Sequence, residues 1–193
     1  MRNRFYIARI MGWFLLSLGL GILLTQQIVI RHSIRSNEKA LAEIRQMLPD
    51  GMTGSPADYS VPEMPILQFD GVDYLCLLEV PTLGVELPIR SGWDPGIFAT
   101  QPARFWGSIY DGSLILGGDS HPEQFGFCSR LDVGDPITLR DMQGTSFRCR
   151  VETILRSSSA DFEKLSDSKY PLTLFVRERY ESRYIIVRCV WDY

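Results

Sequence analysis

Short apolar runs separated by glycine, proline and polar turn residues make up most of the chain after position 70. Runs of this length predict many short β-strands, an arrangement typical of a barrel or a sandwich. The predicted strands are Tyr74–Val80, Val85–Ile89, Ser113–Leu116, Pro136–Arg140, Ser146–Val151, Leu172–Val176 and Tyr184–Cys189. The pattern therefore predicts a mainly β domain.

Two shorter signals lie between these strands. The segment from Asp141 to Gly144 connects two strand-like runs, and it indicates a hairpin in which Gly144 supplies the turn. The segment Asp161–Ser166 is expected to form one helical turn. Neither signal points to a function.

The N-terminal part of the chain predicts a membrane anchor. No charged residue occurs from Ile10 to Ile30, a run of 21 residues, and a helix needs about 20 residues to cross a bilayer core. Arg2, Arg4 and Arg9 precede the run, which favours a cytoplasmic N-terminus and an extracytoplasmic C-terminal domain. The competing interpretation is a cleaved signal peptide. It is disfavoured because the run exceeds an h-region of about 7–15 residues and no small-x-small site follows it.

Two segments are expected between this anchor and the β domain. A juxtamembrane helix is predicted within residues 31–48, since Ile34, Leu41, Ile44 and Leu48 share one face. That face is available to lipid or to a partner. Residues 49–65 contain four prolines and two glycines and predict an extended linker. The predicted division is thus a cytoplasmic N-terminus at 1–9, an anchor at 10–30, these two segments, and a β domain at 66–193.

Composition excludes some functions and leaves the cysteines open. A net charge of −3 and a pI near 5.4 argue against nucleic acid binding. The four cysteines have no C-x-x-C spacing or nearby histidine of the kind that structural zinc sites use, so no metal and no cofactor are expected. Four cysteines allow three disulfide pairings, and buried free thiols are the favoured interpretation.

Four blocks in the β domain carry a recognisable order of motifs. They are Leu78–Ile89 (LEVPTLGVELPI), Gly107–Gly118 (GSIYDGSLILGG), Phe125–Ile137 (FGFCSRLDVGDPI) and Leu172–Phe175 (LTLF), the last followed by Val187–Cys189 (VRC). Read in order, these blocks resemble the sortase family. Sortases are membrane-anchored cysteine transpeptidases with a closed β-barrel fold, so the resemblance implies a sortase-like closed barrel with short helices after an N-terminal transmembrane helix.

The residues that the family uses for chemistry are replaced here. A sortase attacks a peptide carbonyl with a cysteine thiolate, returns a proton from a histidine and uses an arginine at the oxyanion or substrate. The resemblance places Arg177 at the cysteine position and Asp119 at the histidine position. Tyr184 falls at the arginine position, with Arg183 one residue earlier. A guanidinium cannot act as a nucleophile because it stays protonated, so the resemblance implies an impaired enzyme.

Asp119 and Arg177 are expected to lie close together and form an ion pair, because the corresponding family residues face each other. The favoured function is a non-catalytic sortase-like protein on the outer side of a cell membrane, binding a sorting-signal-like peptide, a pilin or another envelope protein. One alternative is an active transpeptidase or hydrolase with a relocated nucleophile, Cys128 with His121. Another is an envelope module that oligomerises through its juxtamembrane helix.

Overall fold

The computed structural model describes residues 11, 13, 15–21, 38–48, 63–94, 101–178 and 183–192. The contacts divide the chain into two compact units, Met1–Ser36 and Asn37–Tyr193. In the first unit the described residues are helical, and the rest of the predicted 10–30 span lies outside the described residues. Within the described part of the chain, no helix combines the length and apolarity that crossing a membrane requires. The transmembrane anchor therefore stays a prediction, and most of the predicted linker also lies outside the described residues.

Nine strands and a few short helices build the second unit as described. The strands are β1 (Leu67–Phe69), β2 (Val72–Val80), β3 (Val85–Arg90), β4 (Ala103–Trp106), β5 (Leu114–Asp119), β6 (Pro136–Asp141), β7 (Ser146–Ser157), β8 (Leu172–Arg177) and β9 (Tyr184–Trp191). The helices are residues 38–47, the 3₁₀ turns Pro81–Leu83 and Phe125–Arg130, and Phe162–Leu165.

Eight of these strands close into a barrel. The hydrogen-bonded order is β1-β2-β3-β4-β5-β8-β9-β7-β6, and β6 also pairs with β2, which completes the ring from β2 to β6. Most neighbours are antiparallel, whereas β3–β4 and β5–β8 are parallel. The mainly β, closed-barrel prediction is therefore confirmed, and β1 is added at the margin through its pairing with β2.

Alternation of side chains along the strands separates the barrel core from the outer face. In β8, Leu172, Leu174 and Val176 belong to the buried core cluster, while Phe175 belongs to a second cluster on the other side of the sheet. Side chains in a strand alternate between the two faces, so β8, which includes the buried Thr173, is buried on both faces except at its end, Arg177. Such a run is typical of a strand covered on both sides.

All seven predicted strands are present. The hairpin between β6 and β7 is confirmed, and Gly144 takes a positive φ of 87° there, as its turn requires. The predicted helical turn is confirmed at Phe162–Leu165. The two strands that pattern alone missed, β1 and β4, have three and four residues, too few for a periodic signal.

The helix at residues 38–47 packs against the barrel of its own chain. Ala40 and Ile44 are buried in one cluster with Tyr74 and Leu77 of β2. Arg45 adds an ion pair to Glu86 of β3, in which the Arg45 Nε donates to Glu86 Oε1 at 3.0 Å. The apolar face that the sequence leaves open to lipid or a partner is therefore occupied by the barrel. The compact unit accordingly begins at Asn37, upstream of the expected boundary at residue 66.

We expect Ile44→Ala to lower the free energy of unfolding of the barrel unit by about 2–4 kcal/mol, because it opens a cavity beneath the helix. Ile44 is completely buried, whereas Met47 on the same helix is 55% exposed. Thermal denaturation followed by near-UV circular dichroism measures the effect, with Met47→Ala as the matched control. Equal melting temperatures for the two variants would show that the helix does not stabilise the barrel.

Candidate functional site

Strand pairing brings three of the singled-out residues into one row. In the parallel pair β5–β8, Asp119 is the register partner of Arg177. In the antiparallel pair β8–β9, Arg177 is in turn the partner of Tyr184. Residues in register on neighbouring strands point to the same face of a sheet. Asp119, Arg177 and Tyr184 therefore lie side by side, and it is Tyr184 rather than Arg183 that completes the row.

The row lies on the outer face of the barrel, next to an apolar cluster. The cluster is formed by alternate residues of β5, β8 and β9 and by the segments that cover them. Its members are Ile115, Leu165, Phe175 and Ile186, with Trp93, Phe105, Ala160 and Tyr184 packed against them. We call this outer surface, together with the row at its end, the groove face. Its four central residues are only 1–4% exposed, so the accessible part of this face consists of the half-buried Trp93 and Phe105 and of the row at the end where β5 and β8 finish.

Asp119 and Arg177 form the predicted ion pair. The Arg177 Nη2 lies 3.7 Å from Asp119 Oδ2, and the backbone N–H of Ser120 donates to the Arg177 carbonyl at 3.2 Å. The two side chains differ in environment, since that of Asp119 is 3% exposed and that of Arg177 is 50% exposed. Water screens the exposed guanidinium, whereas the carboxylate is enclosed, so the pair offsets part of the cost of burying Asp119. Its main effect is to place a half-exposed cation at the end of the groove face.

Two glycines allow the close packing around Asp119. A Cβ on Gly117 would lie 2.5 Å from the rings of both Phe175 and Trp93, and a Cβ on Gly118 would lie 2.8 Å from the ring of Phe125. The aromatic rings therefore sit directly on the backbone of β5, one set on each face. Trp93, Phe105 and Phe175 contact one another with ring centroids 5.1–5.5 Å apart. This contact gives the groove face a rigid aromatic centre.

His121 lies in the loop after β5 and is held by backbone contacts. Its backbone N–H donates to Asp119 Oδ1 at 3.1 Å, and its Nδ1 accepts from the backbone N–H of Glu123 at 3.2 Å. The backbone N–H groups of Gln124 and Gly126 donate to the His121 carbonyl. The imidazole is thus half-buried and fixed in its own turn.

All four cysteines are buried in the barrel core. Cys128 is 1% exposed and packs in the same cluster as Cys76, Cys149 and Cys189, away from the groove face. Burial raises the pKa of the Cys149 thiol to about 12 and raises the pKa of the other three thiols above their ordinary value. The predicted burial is confirmed. A protonated, inaccessible thiol is a poor nucleophile, so this placement argues against the relocated Cys128–His121 site.

The structure adds a pocket that the sequence did not reveal. It has a volume of about 120 Å³ and lies on the groove face, at the opposite end of β5 from Asp119. Its lining comes from three separate segments: Trp106, Ser113, Ile115, Leu165, Ser166, Asp167, Ser168 and Tyr170. At its margin, Trp106 (57% exposed) contacts Phe162 (46% exposed), with the two rings edge to face. No local pattern in the sequence predicts this pocket, because its lining residues come from separate segments.

The described residues offer little for metal chemistry. Among them, no group of three or more His, Cys, Asp and Glu side chains is arranged to hold a metal ion. What the groove face provides is an aromatic floor, an apolar pocket and an ion pair with one exposed cation. Such a surface can bind a ligand, and its charged row contains no thiol or imidazole.

Comparison of the whole chain with known proteins gives matches in structure alone. No protein-family model matches the sequence, and no curated protein does. A sortase D5 transpeptidase from Clostridium perfringens is 15% identical and superimposes with a TM-score of 0.55, covering 86% of this chain and 99% of that chain. Sortase A from Corynebacterium diphtheriae is 18% identical, with a TM-score of 0.54 over 86% of this chain and 84% of that one.

A sortase C1 from Streptococcus agalactiae gives the same result over a smaller part of the molecule. It is 21% identical, with a TM-score of 0.54 over 65% of this chain and 71% of that chain. At these identities the similarity is one of three-dimensional structure, and it agrees with the closed ring of eight strands. The chain therefore has the sortase fold.

Proposed function

We propose that this protein is a membrane-anchored, non-catalytic member of the sortase family that binds a peptide segment of an envelope protein on its groove face. The ligand class is a sorting-signal-like peptide, a pilin or another envelope component. The single observation that carries the proposal is the row of Asp119, Arg177 and Tyr184 at the end of the groove face. The ion pair joins the two residues that the sequence resemblance aligns with the imidazole and the thiol of the family.

The chemistry of the row supports binding over catalysis. Covalent acyl transfer needs an atom with an available electron pair beside the peptide carbonyl. A guanidinium such as that of Arg177 has only N–H donors and no electron pair with which to attack a carbonyl. The carboxylate of Asp119 is 3% exposed and contacts the guanidinium. The thiols, which are the strongest nucleophiles of the chain, lie inside the barrel. The groove face therefore retains recognition groups without an attacking group.

The shape of the groove face supports a peptide as the ligand. Peptide-binding surfaces combine apolar pockets for side chains with a few polar groups that fix orientation. Here the apolar pocket is the one lined by Ile115, Leu165 and Tyr170. The orienting polar groups are those of the ion pair between Asp119 and Arg177, farther along the same strand pair. An extended segment that crosses both would lie along β5 and β8.

The relocated-nucleophile alternative has less support. It requires Cys128 to meet His121 at an accessible surface, but Cys128 packs with core residues and is 1% exposed. His121 accepts a hydrogen bond from Glu123 through its Nδ1. For the Cys128 thiol to reach a peptide, the 3₁₀ turn Phe125–Arg130 would have to leave the core together with its buried Phe125 and Phe127.

We expect all four cysteines to be unreactive in the folded protein. Their pKa values are raised by burial, so at mildly alkaline pH the thiols stay protonated as well as inaccessible. Titration of the full-length chain in detergent with Ellman's reagent should find no fast-reacting thiol, and four after denaturation in guanidinium chloride. Arg177→Cys is the positive control, since it places one thiol at a half-exposed position. A fast-reacting native cysteine would reopen the catalytic alternative.

We expect the protein to bind a sorting-signal peptide without cleaving it. Full-length chain in detergent is incubated with fluorophore-labelled peptide; anisotropy reports binding, and mass spectrometry reports cleavage or a thioester adduct. Saturable binding with neither product is the expected result. The double variant with Arg177→Cys and Asp119→His serves as the reference, because it restores a thiol and an imidazole to the row. Cleavage by the unaltered chain, or an adduct on any of its four cysteines, would contradict the proposal.

The anchor is tested separately from the binding site. We expect the full-length chain to stay with the membrane fraction after alkaline carbonate extraction, because residues 10–30 contain no charge. Introducing arginine at Leu16 and Leu20 should release it, since each arginine costs about 2.5–3.5 kcal/mol at the centre of a span. Retention of the doubly substituted chain would show that residues 10–30 do not anchor the protein.

A further inference from the structure

We infer that the exposed aromatic pair Trp106–Phe162, at the margin of the pocket, is a binding site for a neutral saccharide ring of the hexopyranose class. The inference goes beyond the proposed peptide binding, because it concerns side chains outside the buried floor of the groove face. Three features carry it: two accessible rings on a fixed backbone, hydroxyl and carboxylate groups beside them, and a local balance of charge.

The two rings are accessible, although side chains of this type are mostly buried in folded proteins. Trp106 is 57% exposed and Phe162 is 46% exposed, and their ring centroids lie 5.4 Å apart in an edge-to-face contact. The floor residues Ile115 and Phe175 are 2% and 4% exposed, and a ligand on the pair does not need to touch them. Such a ligand gains free energy from the apolar area that it removes from water.

The backbone holds both rings in place. Trp106 is the last residue of β4, and Gly107, which follows it, has a positive φ of 72°. A Cβ on Gly107 would overlap the carbonyl oxygen of Ser113, so the turn after Trp106 is closely packed. Phe162 begins the short helix that ends at Leu165, a residue that is 1% exposed. The pair is therefore preorganised, which lowers the cost of ordering it around a ligand.

Hydroxyl and carboxylate groups lie beside the rings. The recess of about 120 Å³ next to Trp106 has four polar lining residues, Ser113, Ser166, Asp167 and Ser168. The Asp167 side chain is 42% exposed, and the backbone N–H of Lys169 donates to its Oδ1 at 3.1 Å. A carboxylate accepts several hydrogen bonds, and a hydroxyl both donates and accepts. These groups can bind the hydroxyls at the edge of a sugar ring while its C–H face rests on Trp106.

The charges of the site favour a neutral ligand. Arg188 Nη1 lies 3.6 Å from Asp167 Oδ2, and the same guanidinium lies over the ring of Tyr170, 4.9 Å from its centroid. The Arg188 side chain is 17% exposed, so it compensates the charge of Asp167 from the protein side. Charged residues of both signs adjoin the site: Asp161, Glu163 and Lys169. A neutral ring with an apolar face and a polar edge matches this combination better than an ion does.

The experiment measures binding of defined oligosaccharides to the full-length chain by isothermal titration calorimetry. The detergent is a polyoxyethylene ether, because a detergent with a sugar headgroup would compete for the site. The probes are chitotriose and cellotriose, whose equatorial substituents leave a flat C–H face on each ring. Sorbitol, which has the hydroxyls without the ring, and choline, a cation, are the reference probes. We expect saturable binding of both trisaccharides and none of sorbitol or choline at the same concentrations.

Matched variants assign the binding to residues. Trp106→Ala should weaken it about tenfold or more, as loss of a central aromatic residue does in other interfaces. Trp106→Phe should retain most of it, because a ring stays in place. Asp167→Ala should also weaken it. Asp192→Ala is the control, since Asp192 is 47% exposed and pairs with Arg150 at 3.8 Å, much as Asp167 pairs with Arg188. Near-UV circular dichroism checks that each variant is folded.

The contrary results are distinct from a failure of the proposed function, which the peptide assay decides separately. Absence of saturable binding of both trisaccharides by the folded chain would overturn the inference. Binding that Trp106→Ala leaves unchanged, or that Asp192→Ala weakens as much as Asp167→Ala, would place the sugar elsewhere and overturn it too. Binding of choline that is lost in Trp106→Ala would make the pair a cation site, which also contradicts the inference.

Discussion

The parallel pairing of β5 with β8 is the constraint on which the rest of the molecule depends. Its six register pairs run from Leu114 with Leu172 to Asp119 with Arg177. Both strands are covered on both faces, inside by the barrel core and outside by the groove-face cluster. Shifting the register by one residue would turn every side chain of a strand to the opposite face. The apolar residues on both sides therefore fix where the strands end, and with them the position of the ion pair.

The two side chains of the ion pair at that end differ in their exposure to water, and this difference has a chemical consequence. Asp119 is enclosed and also accepts a hydrogen bond from the backbone of His121, while Arg177 is half in water. Burying a carboxylate away from water costs free energy unless a partner compensates its charge, so the guanidinium of Arg177 stabilises the buried Asp119. Arg177 therefore contributes both to the stability of the loop after β5 and to the charge of the surface.

Much of this arrangement is predictable from sequence, and the limits have physical causes. Long apolar runs such as Leu172–Val176 define buried strands without knowledge of their neighbours. The close approach of Asp119 and Arg177 required the family resemblance, because the residues are 58 positions apart and no local pattern connects them. The pocket could not be predicted at all, since Trp106, Ile115 and Leu165 come from separate segments.

The helix at 38–47 shows a different limit of sequence reasoning. Its spacing identifies an apolar face, but amphipathicity does not specify what covers that face. In the structure, Tyr74 and Leu77 of β2 pack against this face. The Arg45–Glu86 ion pair joins residues that are 41 positions apart. No local pattern in one sequence predicts a contact between residues so far apart.

Closure of the barrel has a consequence for how new binding partners can be acquired. Apart from β3 and β4, which pair at a single register position, the strands of the ring use their main-chain donors and acceptors on their neighbours, so a foreign strand cannot be added to those positions as it can at an open sheet edge. Recognition must then depend on side chains that project from the ring. Such side chains can be exchanged one at a time while the ladder beneath them is unchanged, so the specificity of this scaffold can drift through evolution independently of its architecture.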